Sequence, residues 1–519
     1  MNRTALLPAA LASCCLVASN ARAQERPAAS SGALHEVARA YVAAHEPALL
    51  REFGDLLAIP NLASDSAGIR RNAQVLVGML ERRGVTVRLL DGQGAPPVVY
   101  GELKAPGAAR TLILYAHYDG QPVNAAQWTS PPWQPTLRSK ALEAGGAVIP
   151  FPADGSAALD GEARLYARSS GDDKASIVAM LGALDALRGA NRMPTVNLKF
   201  FFEGEEEAGS PHLARVLEAN RELLAGDVWL FCDGPNHQGG RQQLLFGMRG
   251  ITGMELTLYG PTRPLHSGHY GGWAPNPAAM IARLIASMRD DEGRITIAGY
   301  YDDVVPPSPA EQQATAALPS ADAALRQSLA LGRVEGQGAS LAELILQPAL
   351  NVRGIRAGAV GEQAANAIPT AAYASFDFRL VPNQTPARVR ALVTTHLEQQ
   401  GYFVTEDSVT TALRLAHPRI ARTQWEDGGY PAGRTPMDLP IARSVAAAIA
   451  AGLGETPLLV PTLGGSGPHY LFQQLLHTPV LVLPIANYDD NQHGADENLR
   501  LQNLRDGVAV YVGVFAGTK

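Results

Sequence analysis

Short, mostly apolar runs at residues 111–116, 196–202, 228–232 and 480–483 alternate along this chain with stretches whose apolar residues recur every three or four positions. Those stretches lie at 34–59, 73–83, 175–187, 211–224 and 441–451, with another from 499 to the end. The short runs lack the length of ordinary helices and the strict polar alternation of a strand with one wet face. They read as strands buried on both sides, and helices between such strands make a mainly parallel sheet covered on both faces. The expected fold class is therefore α/β.

The pattern changes near residue 247. Residues 251–258 alternate like a half-exposed strand, 277–288 and 386–399 are helical, and 350–355, 371–380 and 402–411 read as further strands. Alternating strands with two helices predict an α+β domain whose sheet is covered on one face. From 439 the first rhythm resumes. The expected organisation is a signal peptide over 1–23, a first α/β part over 24–246, an inserted α+β domain over 247–420, and a second α/β part over 421–519. Residues 144–162 read as a surface loop, and 302–337 as a loop followed by a helix. There is no internal repeat.

With a formal net charge of −6 and no Lys/Arg run, the chain lacks the basic footprint of a nucleic-acid binder. At the N-terminus Arg3, the apolar stretch 5–18 and Ala21-Arg22-Ala23 form a secretory leader, with cleavage after Ala23 and a periplasmic or secreted destination. The rival is a lipoprotein signal that would anchor the protein through Cys14. No other run is long enough to span a bilayer, so no membrane span is expected after cleavage. Cleavage leaves Cys232 alone, which excludes an internal disulfide and suits a small buried hydrophobe.

Acidic residues and histidines collect just after the expected strands. LYAHYDG puts His117 and Asp119 behind the first, EGEEEAGS puts Glu206 and Glu207 behind the second, and FCDG puts Asp233 behind the third. SSGDDKAS sets Asp172 and Asp173 before a helix, and NQHGADEN sets His493 and Glu497 after the last strand. Singly these have plainer readings: DDK as a helix cap, the glutamates as a solvated turn. Together they converge on the carboxyl edge of an open α/β sheet, where ligands bind. Two histidines with several carboxylates suit zinc, manganese or cobalt better than calcium or magnesium. Asp119, two residues after His117, can hold the imidazole's second nitrogen. Adjacent glutamates point apart, so one of Glu206 and Glu207 can ligate while the other holds a water as general base.

In order along the chain, LYAHYDGQPV, SSGDDKAS, EGEEEAGS, and GGSGP with HGADEN resemble the metal motifs of the M20 metallopeptidases, a family of carnosinase-type dipeptidases, glutamate carboxypeptidases and aminoacyl deacylases. The resemblance runs through nearly the whole mature chain. It implies two divalent ions, expected to be zinc, with cobalt or manganese able to take the same ligands. His117 and Asp233 would hold one, Glu207 and His493 the other, and Asp172 would bridge them. It makes Glu206 the general base and Asp119 the clamp on His117. Glu203 and Glu205 are left supporting or solvated. PLHSGHYGG resembles the segment whose histidine stabilises the transition state, here His266, which in family dimers reaches the partner's site. His269 lacks the motif position and suits the surface. Arg379 in FRLVPNQ matches the arginine that grips a substrate carboxylate, its plainer reading being an ion pair with Asp377. Asn366, Gly465 and Ser466 are further substrate contacts, and His469 lies beside their loop. The sequence departs from the family pattern at Ala167, Ser169 and Ala175, where glycines are usual, and at Asp496, where Asn is common.

With the leader, the resemblance implies a homodimeric, exported two-metal hydrolase acting on small peptides with a free carboxylate, residues 24–246 and 421–519 forming its catalytic domain and 247–420 a lid or dimerisation domain. The alternatives are an N-acyl amino acid deacylase with the same centre, and a zinc-binding protein without turnover.

Overall fold

The computed structural model describes residues 31–90, 94–468 and 470–519. Its larger sheet begins with β1 (Thr86–Leu90), β2 (Val98–Leu103), β3 (Thr111–His117), β4 (Asn197–Glu203), β5 (Val228–Phe231) and β6 (Gln243–Leu245). A second sheet follows, built from β7 (Gly250–Tyr259), β8 (Ala349–Arg356), β9 (Ala371–Leu380), β10 (Phe403–Thr405) and β11 (Ile420–Trp425). The chain then returns to the first sheet with β12 (Leu458–Val460) and β13 (Val480–Val482). In space the larger sheet runs β1-β2-β4-β3-β5-β13-β6-β12. Its centre, β4-β3-β5-β13, is parallel, whereas β1 and β2 are antiparallel at one edge and β6 reverses against β13.

The continuous apolar runs are explained by burial on both faces. Leu112, Leu114 and Ala116 of β3 share one core with Phe200, Phe202 and Leu230, while Ile113 and Tyr115 share the opposite core with Phe201 and Trp229. The three consecutive phenylalanines therefore serve two cores. Helices α1 (Ser31–Leu57), α2 (Ser66–Glu81) and α3 (Lys174–Gly189) contribute to the first core, and α3 is buried over most of its circumference. On the other face, the short helices Leu213–Ala219 and Tyr470–Leu476 insert Leu213, Leu217 and Phe472.

The second sheet has the order β8-β9-β7-β11-β10 and is antiparallel except for β10 with β11. Helices α4 (Pro277–Met288) and α5 (Pro386–Gln399) cover one face, packing Ile281, Leu284, Val389 and Val393 on Met254, Leu256, Phe376 and Phe378. The opposite face carries Arg353 bonded to Glu426, Glu255 and Ser375. One dry and one polar face produce the alternation visible in residues 251–258.

Helices α6 (Pro440–Leu453) and α7 (Leu501–Gly517) then close over α1 and α3. They approach through glycine. A Cβ on Gly452 would lie 2.0 Å from the Ala509 carbonyl oxygen, and one on Gly513 would lie 2.2 Å from that of Ala448.

Several local expectations need correction. The strand expected over 402–411 stops at Thr405, and residues 411–416 form a helix. The helix expected over 211–224 contracts to Leu213–Ala219, and residues 498–500 are a strand before α7. Residues 302–337 hold two short helices, Pro309–Ala317 and Asp322–Ser328. β11 belongs to the second sheet and extends it to Trp425, past residue 420. No helix among the described residues is long and apolar enough to cross a membrane. The expected signal peptide and the Cys14 alternative lie outside the described residues, as does His469, whereas Cys232 is a buried free thiol.

Candidate metal centre

Parallel strands end at one edge, so β3, β4, β5 and β13 deliver their following residues to the same place. His117 Nε2 lies 2.8 Å from Asp172 Oδ1 and 4.0 Å from Asp233 Oδ2. His493 Nε2 lies 3.2 Å from Asp172 Oδ2 and 3.3 Å from Glu207 Oε2. The structure thus brings together two donor trios, His117–Asp172–Asp233 and Asp172–Glu207–His493. Asp172 belongs to both, offering one oxygen to each. His117 and Asp172 are buried, Asp233 and Glu207 half-buried, and His493 exposed, so the centre opens on the His493 side.

Asp119, fully buried, holds this arrangement. Its Oδ1 lies 3.4 Å from His117 Nδ1 and accepts the Glu206 N–H at 3.1 Å, and its Oδ2 accepts the Glu207 N–H at 3.1 Å. One carboxylate therefore orients the imidazole and the turn that carries both glutamates. Glu206 sits beside the trios, and its carboxyl has no hydrogen bond or ion pair among the described residues.

Other supports had no role in the sequence reading, which named Glu497 and Asp173 only as members of the acidic clusters and did not name Gln492 or Gln121. Glu497 Oε1 accepts the Gly171 and Asp172 N–H groups at 2.9 Å, and Oε2 accepts the Ser169 N–H at 3.0 Å and Arg168 Nη1 at 2.7 Å. Strand pairing of Asn498–Arg500 with Arg164–Tyr166 brings these distant segments side by side. Gln492 donates to Asp172 Oδ2 at 2.9 Å, and Gln121 to Glu207 Oε2 at 2.7 Å. Asp173 occupies the N-cap position of α3 but makes no side-chain cap; it accepts the His117 N–H at 3.3 Å.

Two departures from the family pattern, Ser169 for glycine and Asp496 for Asn, are accommodated locally. Ser169 adopts φ +65°, a left-handed conformation that favours glycine. Its hydroxyl offsets that cost by accepting from Asn61 at 2.8 Å and donating to the Asp119 carbonyl at 3.3 Å. Asp496, at φ +56°, receives the Thr129 N–H and hydroxyl, each at 2.8 Å.

The acids crowd one another. Burial and then the Asp172 charge raise Asp233 to about 6 and Glu207 to about 7. Burial, reinforced by Asp233, Asp172 and Glu207, also raises Glu206, against the opposing pull of His117. Burial would lower His117, but Asp172, Asp119 and Asp233 together outweigh it and raise the imidazole, and by hydrogen bonding Asp172 carries His493 to about 9. Repelling carboxylates with convergent oxygens, and a buried Asp233 Oδ1 without a hydrogen-bond partner among the described residues, fit a pair of divalent cations.

Neither neighbouring glutamate is solvated. Glu205 is buried and pairs with His212 at 2.9 Å, and Glu203 accepts the Tyr115 hydroxyl at 2.8 Å. Burial raises Glu203 from 4.5 to about 7. Across that window the folded chain keeps a proton that the unfolded chain has released, so Glu203 lowers stability as pH rises. Glu203→Gln removes this titration and is expected to gain up to about 3 kcal/mol relative to wild type between pH 5 and pH 8. Denaturant unfolding at the two pH values measures it, and an unchanged difference would place Glu203's titration outside the window.

Arg379 makes the ion pair of its plainer reading and also reaches the loop that carries Ser466. Its Nε bonds Asp377 at 2.7 Å, while Nη1 bonds the Ser466 hydroxyl at 3.1 Å. The Gly465 carbonyl accepts the Arg249 N–H at 3.1 Å. His266 is exposed; its Nδ1 accepts the Gly268 N–H at 3.1 Å, and its ring lies 4.5 Å from that of His269. Backbone pairing sets His266 against Ala367, and the Asn366 carbonyl accepts the Ser267 N–H at 2.8 Å. His266, His269 and Asn366 therefore share one exposed surface, and among the described residues none bonds to the donor trios.

A profile of peptidase family M20/M25/M40 matches residues 113–516. The Cys-Gly metallodipeptidase of Schizosaccharomyces pombe is 25% identical over 443 residues, covering 83% of this chain and 85% of the relative. The human Beta-Ala-His dipeptidase is 27% identical over 476 residues, covering 86% and 84%. Among solved structures, an M20 family metallo-carboxypeptidase from Sulfolobus solfataricus superposes with TM-score 0.69 at 26% identity, over 90% of this chain and 98% of that one. Human carnosine dipeptidase 1, at 23% identity and TM-score 0.66 over 93% and 98%, shares the fold.

Proposed function

Because this chain belongs to peptidase family M20/M25/M40 and is a metallopeptidase, we propose that it cleaves dipeptides, or the last bond of short peptides, through a water activated by Glu206. The observation that carries this reading is the geometry of Asp172, one oxygen in each donor trio, beside the uncommitted carboxyl of Glu206. The residues fit two divalent ions. His117, Asp172 and Asp233 would hold one, and Asp172, Glu207 and His493 the other. Zinc is the first expectation, with cobalt or manganese as alternatives. Bound there, the ions supply Lewis acidity that lowers the pKa of water and polarises a carbonyl.

The chain's own residues do the rest. Glu206 takes a proton from the attacking water as the carbon–oxygen bond forms, then passes it to the departing amine nitrogen as the carbon–nitrogen bond breaks. Asp119 keeps His117 and the glutamate turn aligned throughout. Arg379, with Ser466 and Gly465, receives the free carboxylate of the substrate, while Asn366 stands beside His266 and contacts the substrate of a second copy. His266 donates a hydrogen bond to the developing oxyanion of a second copy's substrate. Its exposure supports a dimer through the inserted domain, as does Trp273, which follows the short helix that His266 precedes, contacts Tyr270 and is 79% exposed. The leader over residues 1–23 supports export to the periplasm or beyond.

The test is amine release by the metal-loaded mature protein from free dipeptides beside matched N-acetyl amino acids. Dipeptide cleavage that a chelator abolishes and zinc, cobalt or manganese restores supports the peptidase reading. Turnover of the N-acetyl compounds alone would replace it with the deacylase.

A further inference from the structure

The sequence reading assigned nothing to Tyr430 or Tyr470, yet their rings stack face to face, with centroids 4.8 Å apart and planes 3° from parallel. Both are firmly mounted. Tyr430 pairs its backbone with Ile251 in both directions, at 2.9 and 3.0 Å. Tyr470 opens the helix Tyr470–Leu476, whose Phe472 is fully buried against Trp229 and Phe231. The stack thus joins the return from the second sheet to the helix that follows the GGSGP loop.

It also stands beside the residues proposed to grip the substrate carboxylate. Ile251, the backbone partner of Tyr430, faces Arg379 across the β7–β9 ladder, and Arg379 Nη1 donates to the Ser466 hydroxyl at 3.1 Å. Burial raises the Tyr430 phenol, with Tyr470 and Glu206 pushing the same way and Arg379 opposing. Both tyrosines remain half-buried, leaving aromatic surface open next to that cluster.

We propose that Tyr430 and Tyr470 form the side wall of the subsite for the residue bearing the free carboxylate, and that they favour substrates ending in an aromatic side chain. The proposal rests on the hydrolase reading above. A ring entering beside Arg379 and Ser466 would meet an aromatic wall, and aromatic pairs prefer offset-stacked or edge-to-face contact. An alanine or glycine side chain would leave that wall in water.

The experiment compares kcat/KM for Ala-Phe and Ala-Ala in the metal-loaded wild type, Tyr470→Leu and Tyr470→Phe, alongside calorimetric binding of free L-phenylalanine and L-alanine. Tyr470→Leu is expected to lower the Phe-to-Ala ratio about fivefold, or about 1 kcal/mol, and Tyr470→Phe to keep it. The calorimetric preference for phenylalanine should fall in parallel. An equal loss on both substrates, or an unchanged ratio in Tyr470→Leu, overturns the wall while leaving the hydrolase reading intact. No turnover of either dipeptide by wild type rejects that reading and the subsite with it.

Discussion

Glu206→Gln is expected to lower kcat on a cleavable dipeptide by about 10³-fold while leaving two metal equivalents bound. The expectation follows from position. Glu206 stands outside both donor trios, its carboxyl is unpaired among the described residues, and its N–H on Asp119 survives the substitution. Gln keeps the shape but can neither take the proton from water nor return it to nitrogen. KM should change little, because the carboxylate-binding residues are untouched. Glu207→Gln provides the contrast, since Glu207 lies in the Asp172–His493 trio and its loss should empty one position. Elemental analysis beside steady-state kinetics separates the two. Activity within tenfold of wild type would remove Glu206 from the proton path, and loss of metal would make it a ligand.

The second large effect is structural. Glu497→Ala should destabilise the protein by about 3–5 kcal/mol, the cost of breaking a buried ion pair from one side. Arg168 and Glu497 are both buried, and truncation strands the guanidinium together with the N–H groups of Ser169, Gly171 and Asp172. Those amides belong to the loop that presents Asp172, so metal occupancy should fall with stability. Arg168→Met added to Glu497→Ala should cost less than the sum of the two changes, because the second removes the charge that the first left alone. Denaturant unfolding of the four proteins measures the coupling. Additive losses, or a loss below about 1 kcal/mol for Glu497→Ala, would show that the loop holds Asp172 without this carboxylate.

Much of the molecule was legible because its physics is local. Residues 111–116 and 228–232 read as doubly buried strands since every position must face one core or the other. The alternation at 251–258 announced a sheet with one polar face, and α4, α5 and β9 begin and end where their periodicity does. Edge strands such as β1, exposed over most of its length, and three-residue strands such as β6 and β12 carry too little pattern to be read. Residues 402–411 failed because a short alternating stretch can turn to helix once Thr410 caps it.

The same division runs through the site. His117, Asp172, Glu206, Glu207, Asp233 and His493 were picked out by the sequence alone, because each follows a strand or opens a helix in a parallel sheet, and such ends converge. Their chemistry, imidazole and carboxylate, is likewise written in residue type. Only the tertiary structure decided that one oxygen of Asp172 serves each trio, that Asp119 braces a turn as well as a histidine, that Glu497 reaches Arg168 from 329 positions away, and that Tyr430 meets Tyr470. Periodicity and motif describe what a segment needs from its surroundings. Which distant atoms meet that need depends on how twisted strands and packed helices bring the segments into contact, and no local pattern encodes it.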